Sequence, residues 1–201
     1  MTVTLLIARH GNTFEKNEVP RRIGKNTDLP LVSSGILQAK ALALYLKAQG
    51  LMPSRVFTSP LKRTRETANL IAPDVEIIND ARFSEIDYGV DENKSEADVI
   101  ARIGKSALKA WDTSAIVPEG WRVDPDSIIK MWLTFGKECA TFHDETILVV
   151  TSNGIARFAP YLTGNFEEFN KTHDIKIATG ALCILNYEKN KWLIVDWNIR
   201  L

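Results

Sequence analysis

Short apolar runs alternate along the chain with longer stretches in which apolar residues recur every three or four positions. Val3-Thr4-Leu5-Leu6-Ile7-Ala8 is an almost continuous apolar run, the pattern of a strand buried on both faces. A polar loop containing Gly24, Asp28 and Pro30 follows. Ser33 or Ser34 is placed to cap a helix running to about Ala48, with Leu37, Ala41, Leu44 and Tyr45 on one face and Gly50 as its stop. Arg55-Val56-Phe57-Thr58 predicts a second strand. Ser59-Pro60 then reads as an N-cap followed by proline at the first position of a helix that ends near Ile71. Val75–Ile78 predicts a third strand.

From Asp80 to Pro125 the periodicity is poor, and the segment reads as loops and a cap with one helix near Glu96–Ile103. Order returns over Asp126–Phe142, where Ile128, Trp132, Phe135, Cys139 and Phe142 recur at helical spacing. Thr146–Thr151 predicts another buried strand. The tight turn Ser152-Asn153-Gly154 leads from it into a short helix broken near Pro160. Ala181–Tyr187 and Lys191–Trp197 predict a strand pair joined around Lys189-Asn190. Strands alternating with helices argue for an α/β three-layer sandwich: a mainly parallel central sheet with helices on both faces. The whole chain, 1–201, is expected to form a single domain with a cap or loop insertion at about 80–125.

Two segments carry the chemistry. Arg9-His10-Gly11-Asn12-Thr13 follows the first strand directly, and ligands of open α/β sheets bind outside the carboxyl ends of strands. A histidine there can present a neutral ring nitrogen to phosphorus, with an arginine beside it and a glycine permitting close backbone approach. Alone, an Arg-His pair in a loop is ordinary surface chemistry. The second segment, Phe57-Thr58-Ser59-Pro60-Leu61-Lys62-Arg63-Thr64-Arg65-Glu66-Thr67-Ala68, puts Arg63 in the first turn of a helix. A guanidinium beside free backbone amides makes a good anion site.

Taken together, these segments resemble the paired signatures of the histidine phosphatase (phosphoglycerate-mutase-like) superfamily: Arg-His-Gly-x-Thr after one strand and Ser-Pro-Leu-x-Arg-x-x-x-Thr-Ala after the next. Asp28-Leu29-Pro30-Leu31, Gly35 and Gln38-Ala39 resemble the family's connecting segment. Phe83-Ser84-Glu85-Ile86-Asp87-Tyr88-Gly89 resembles its acid-bearing loop. Ile147–Val150 with Arg157, and Ile177-Ala178-Thr179-Gly180, resemble its later landmarks. The resemblance implies that His10 accepts the phosphoryl group, that Arg9 and Arg63 bind its oxygens, and that Glu85 protonates the leaving oxygen and then assists water. A carboxyl group beside a phosphate anion has a raised pKa, which suits a general acid.

The resemblance fails at one place. The family carries a second histidine after the Ile147–Val150 strand, usually as Ser-His-Gly, and here the text is Thr151-Ser152-Asn153-Gly154. A gapless match that keeps Arg157 in place puts Ser152 at the histidine position; a match on Ser-x-Gly puts Asn153 there. Either residue can donate a hydrogen bond to a phosphoryl oxygen, but neither carries charge. Losing one preorganised donor typically costs roughly 3–4 kcal/mol of transition-state stabilisation. His143 and His173, the other two histidines, read as surface residues. Asp91-Glu92-Asn93 replaces the usual continuation of the acid loop and reads as a solvated segment. Asn17 stands one place late for the asparagine expected after the first box, and Asn17 and Gly154 are secondary candidates for the substrate pocket.

Composition narrows the partners. Acidic and basic residues balance at 25 each, so no global field favours nucleic acid or an anionic membrane. Cys139 and Cys183 match no metal-ligand spacing. The expected reading is a cytoplasmic phosphatase of a small phosphomonoester that uses no metal and no cofactor, binds neither nucleic acid nor membrane, and is compatible with a homodimer. Two alternatives stand beside it: a phosphate-ligand-binding pseudoenzyme with little turnover, and a phosphoglycerate mutase.

Overall fold

The computed structural model describes residues 2–201. Its centre is a six-stranded sheet in the order β3-β2-β4-β1-β5-β6, made of β1 (Val3–Arg9), β2 (Arg55–Thr58), β3 (Ile77–Asn79), β4 (Thr146–Thr151), β5 (Leu182–Glu188) and β6 (Lys191–Ile199). β1 to β4 pair in parallel, and β5 and β6 extend the sheet antiparallel. The helices are α1 (Ser33–Ala48), α2 (Lys62–Ile71), α3 (Glu96–Ser114), α4 (Pro125–Cys139), α5 (Asn153–Ala156) and α6 (Phe166–Thr172).

Alternation along the strands sorts their side chains between two cores. Leu6 and Ala8 of β1, with Leu148 and Val150 of β4, pack against Leu42 and Leu46 of α1 and Ala68 and Ile71 of α2. On the opposite face Leu5, Ile7, Ile147 and Val149 meet Phe83 together with Trp132 and Phe135 of α4. The sheet therefore lies between two helical layers, which is the expected α/β architecture.

Several local expectations need correction. The helix α1 buries Gly35, Ala39, Leu42 and Leu46, whereas Leu37 and Leu44 are 67% and 70% exposed. The stripe that packs begins with small residues because Gly35 must lie against the backbone of Gly11 and Asn12, leaving no room for a Cβ. Neither serine caps that helix: the flanking residue is Val32, and Ser34 Oγ instead accepts from Asn12 Nδ2 at 3.2 Å. α2 begins at Lys62 rather than at Pro60, and Ser59 Oγ pairs with Thr64 Oγ1 at 2.6 Å. α3 is longer than the periodicity suggests. A capping box between Ser95 and Asp98 starts it, and a break at Gly104 (φ 81°) interrupts its repeat. As expected, β5 and β6 turn at Lys189-Asn190, both with positive φ (49° and 62°), as a two-residue type I′ hairpin requires.

Asp91 and Glu92 do not form a solvated segment. Asp91 is buried, paired with Arg102 and accepting from Trp121 Nε1 at 2.7 Å. Glu92 accepts from Gly24 N at 2.8 Å and from Thr27 Oγ1. His143 and His173 are exposed, as expected.

Candidate functional site

The strand order places the carboxyl ends of β1, β4 and β2 side by side, with Arg9 opposite Thr151 and Thr58 opposite Val150. A cleft of about 740 Å³ opens there, and Arg9, His10, Glu85, Tyr88 and Asn153 are among the residues that line it. Arg63 and Ser152 are wholly buried and are not among its lining residues. Asn17 is exposed and does not line the cleft; Asn12 does.

His10 is 4% exposed, and its Nδ1 lies 2.8 Å from Gly11 O. A carbonyl oxygen only accepts, so Nδ1 carries the proton and the neutral ring keeps its lone pair on Nε2. The backbone holds the ring's residue in place: His10 N donates to Thr151 O and Gly180 N donates to His10 O, both at 3.0 Å. Burial, then the charges of Arg63 and Arg9, drive the His10 pKa well below the ordinary imidazole value. The ring is therefore neutral at pH 7.

Arg63 is fixed by backbone carbonyls. Nη1 donates to Thr27 O at 2.8 Å, and Nη2 donates to Gly24 O at 3.1 Å and to Ile23 O at 3.3 Å. Glu92 holds the same loop from the other side through Gly24 and Thr27. Arg9 Nη1 donates to Ile177 O at 2.6 Å. Among the described residues, three buried donors then lack any partner: Arg9 Nε, Arg63 Nε and Ser152 Oγ. A buried unpaired donor is costly, and an incoming anion is the natural acceptor for such a group.

Glu85 is buried, and its Oε1 accepts from Ile86 N at 2.9 Å. It lies against Gly154, where an added Cβ would collide with Oε1. Burial raises the Glu85 pKa, against the opposing pull of Arg63, Arg9 and Arg157. Arg157 is itself 1% exposed. It lies over the Trp111 ring at 4.0 Å and donates to Trp111 O and, through Nε, to Asn153 O. Burial lowers its pKa to about 10, so it still carries its charge at neutral pH.

Asn153 Oδ1 accepts from Ile177 N at 2.8 Å, which leaves the hydrogens of Nδ2 with no protein acceptor. The following segment is tied to the loop after His10: Thr179 Oγ1 donates to Asn12 Oδ1, Gln38 Nε2 to Thr179 O, and Asn12 N to Gln38 Oε1. The arrangement combines a neutral imidazole, a buried carboxyl group and fixed guanidinium groups at the ends of parallel strands. It can bind a phosphoryl group, attack it and move one proton.

The sequence matches the histidine phosphatase superfamily (branch 1) over residues 5–200. The chain belongs to that superfamily. The Proteus mirabilis protein named "Probable phosphoglycerate mutase GpmB" is 27% identical over 200 residues, 96% of this chain and 89% of that one. A 2,3-bisphosphoglycerate-dependent phosphoglycerate mutase from Methylobacterium is 37% identical over 119 residues, which is 57% of this chain and 56% of that one. The chain thus spans about half the length of that mutase. Among solved structures, a mycobacterial glucosyl-3-phosphoglycerate phosphatase superposes with a TM-score of 0.80 at 19% identity, covering 98% of this chain and 99% of that one. The Entamoeba histolytica phosphoserine phosphatase superposes at 0.75 with 21% identity, covering 98% and 97%. At these identities the structures show a shared fold.

Within this histidine phosphatase framework, sequence reasoning missed Arg22, Asp112 and Lys176, all of which line the cleft. They lie in loops or near a helix end, where no periodicity marks them. The Arg21-Arg22 pair beside Gly24 was the one usable signal. Among the described residues, no group of three or more His, Cys, Asp or Glu side chains is arranged to hold a metal ion, and no helix is long and apolar enough to cross a membrane.

Proposed function

We propose that the protein hydrolyses a small phosphomonoester through a phosphohistidine on His10. The observation that carries this reading is the 2.8 Å contact of Nδ1 with Gly11 O, which directs the ring's lone pair to Nε2. In the first step Nε2 forms a bond to phosphorus as the bond to the leaving oxygen breaks, and Glu85 gives its proton to that oxygen. In the second, water attacks the phosphohistidine, Glu85 takes the water's proton, and phosphate leaves with His10 neutral again. Arg9 and Arg63 neutralise the phosphoryl oxygens, the main requirement of phosphoryl transfer. Asn153 Nδ2 and Ser152 Oγ stand in for the donor that the missing histidine supplies elsewhere in the superfamily. The burial of Glu85 supports its role as the acid. Residues 80–125 form the cap of a single domain in this reading, and the reaction uses no metal and takes place in the cytoplasm.

A second reading has its own observation: both Ser152 and Asn153 are uncharged where the superfamily places an imidazole. On it the chain binds a phosphorylated ligand without turning it over. A mutase would begin from the same phosphohistidine but hand the group to an alcohol. The deciding experiment incubates the protein with a panel of phosphomonoesters in the presence of EDTA and measures free phosphate and phosphoryl transfer, with His10→Ala as the control. Release of phosphate that depends on His10 supports the phosphatase. Transfer to an added phosphoglycerate supports the mutase. Binding without either supports the pseudoenzyme.

A further inference from the structure

Helix α5, Asn153–Ala156, is a single turn. So short a helix has no stability of its own, and the position of Asn153 is therefore set by what holds that turn from outside. On one side Ile177 N donates to Asn153 Oδ1. On the other Arg157 donates twice to Asn153 O, through its backbone N and through Nε, both at 3.2 Å. Trp132 Nε1 adds a bond to Ile155 O at 2.9 Å.

Arg157 is in turn held by the end of α3. Its Nη1 donates to Trp111 O, and the guanidinium lies over the Trp111 ring at 4.0 Å. Nη2 lies 3.8 Å from Asp112 Oδ1, and Asp112 Oδ2 accepts from Lys176 Nζ at 2.6 Å. Lys176 precedes Ile177, the residue that holds both Arg9 and Asn153. The contacts close a ring that runs from Asn153 through Arg157 and the end of α3 to Lys176-Ile177 and back to Asn153. An apolar side chain could fill the space beside Trp111 without the desolvation cost of a buried guanidinium. It could not donate at once to carbonyls of two different elements, which the rigid fork of arginine does. Arg157 is 1% exposed and is not among the residues that line the cleft, so any effect it has on a ligand passes through its neighbours.

We infer that Arg157 is a positioning residue for the phosphoryl site: clamped by the end of α3, it holds the single turn of α5 and thereby aims the Asn153 amide. This deepens the phosphatase reading and rests on it for the role of Asn153 Nδ2 as a phosphoryl donor. It also gives Trp111 and Asp112, at the far end of α3, a part in shaping the phosphate site through Arg157.

A double-mutant cycle on the full chain separates positioning from a merely structural role. Arg157→Met should lower kcat on a phosphomonoester about 10-fold, as far as Asn153→Ala does, with a smaller change in KM. In the Asn153→Ala background the same substitution should change kcat by less than about 2-fold, because the donor it aims is gone. A structural role gives the same loss in both backgrounds, and that result overturns the inference. Calorimetric binding of orthovanadate, a mimic of the transferring group, runs the same cycle without turnover. Arg157→Met should weaken binding about 10-fold when Asn153 is present and less than about 2-fold when it is alanine. Asp112→Asn guards against an Arg157 variant that fails to fold. It alters only a partly exposed link of the ring and should cost about 3-fold, the scale of such an ion pair, again only while Asn153 is present. No loss in either variant, or losses that persist in Asn153→Ala, overturn the positioning role. The phosphatase reading fails separately, when no ester is hydrolysed in a His10-dependent way, and the vanadate cycle then still decides whether Arg157 acts through Asn153. If vanadate is not bound and no ester is hydrolysed, both fall.

Discussion

Arg9 and Asn153 are held by the same residue: Arg9 Nη1 donates to Ile177 O at 2.6 Å, and Asn153 Oδ1 accepts from Ile177 N at 2.8 Å. One side chain fixes the loop that fixes the other. The Asn153 amide is oriented by this contact, with its oxygen committed to the backbone and its NH2 group left without a protein acceptor. Asn153→Ala removes both the tie and the donor. Turnover is expected to fall about 10-fold or more with a smaller change in KM, because the lost contact strengthens in the transition state. Ser152→Ala, which removes a buried hydroxyl that has no partner in the free protein, is expected to lower turnover similarly while leaving the melting temperature almost unchanged. Steady-state kinetics and thermal melts of the two variants check this. An Asn153→Ala enzyme with wild-type turnover counts against any donor role for that residue.

The nucleophile is testable directly. Rapid quench with a labelled phosphomonoester should trap an adduct on the protein that is labile in acid and stable in base, as expected for phosphohistidine. His10→Ala should give no adduct and no turnover above background. EDTA should leave the wild-type rate unchanged. A His10→Ala variant that hydrolyses the ester at the wild-type rate would refute the assignment.

Gly154 offers a steric probe of the acid. A Cβ there would meet Glu85 Oε1 and the Ile86 side chain, so Gly154→Ala must push the carboxyl group out of position. A misplacement of about 1 Å can cost about 100-fold in rate. The expected result is a large fall in kcat for esters with poor leaving groups and a much smaller one for an ester with a good leaving group, which needs little protonation. Equal losses on both esters would show that the substitution disturbs binding and not proton transfer.

The sheet and the place of His10 at its edge were legible because each rests on a local pattern. Strand β4 was read with the bounds it has, and the carboxyl end of β1 brings Arg9 and His10 to the cleft, because buried strands announce themselves as apolar runs. The packing face of α1 was misread because Gly35 and Ala39 make the contact, and close approach of backbones selects small residues that carry little hydrophobic signal. Arg63 stands in the first turn of α2 as expected. Its capture by the carbonyls of Ile23, Gly24 and Thr27 depends on a loop about forty residues away in sequence, which no local pattern encodes. The burial of Asp91 is hidden for the same reason, since its partners Arg102 and Trp121 lie further along a segment with poor periodicity. Nothing in a single sequence marks Asn153 as the anchor of Ile177.

The pH dependence separates the two ionisable groups. Burial raises the Glu85 pKa and, with Arg63 and Arg9, lowers that of His10. Activity needs Glu85 protonated and His10 neutral, so kcat/KM should fall on the alkaline side as Glu85 ionises and on the acid side as His10 takes up a proton. Glu85→Gln keeps an acceptor for Ile86 N but cannot give a proton. Turnover should drop about 10²–10⁴-fold, and the alkaline limb should vanish while the acid limb remains. Stability supplies an independent check. A carboxyl whose folded-state pKa is raised binds its proton more tightly when folded, so it stabilises fully below the unfolded pKa, and that contribution is lost as pH rises through the folded value. The melting temperature of Glu85→Gln minus that of the wild type should therefore grow from about pH 4 upward and level off above the folded pKa. The opposite contribution of His10, whose lowered pKa costs stability as pH falls below the ordinary imidazole range, is common to both proteins and cancels in the difference. A difference that stays flat with pH, or an alkaline limb that persists in Glu85→Gln, would remove Glu85 from its role as the acid.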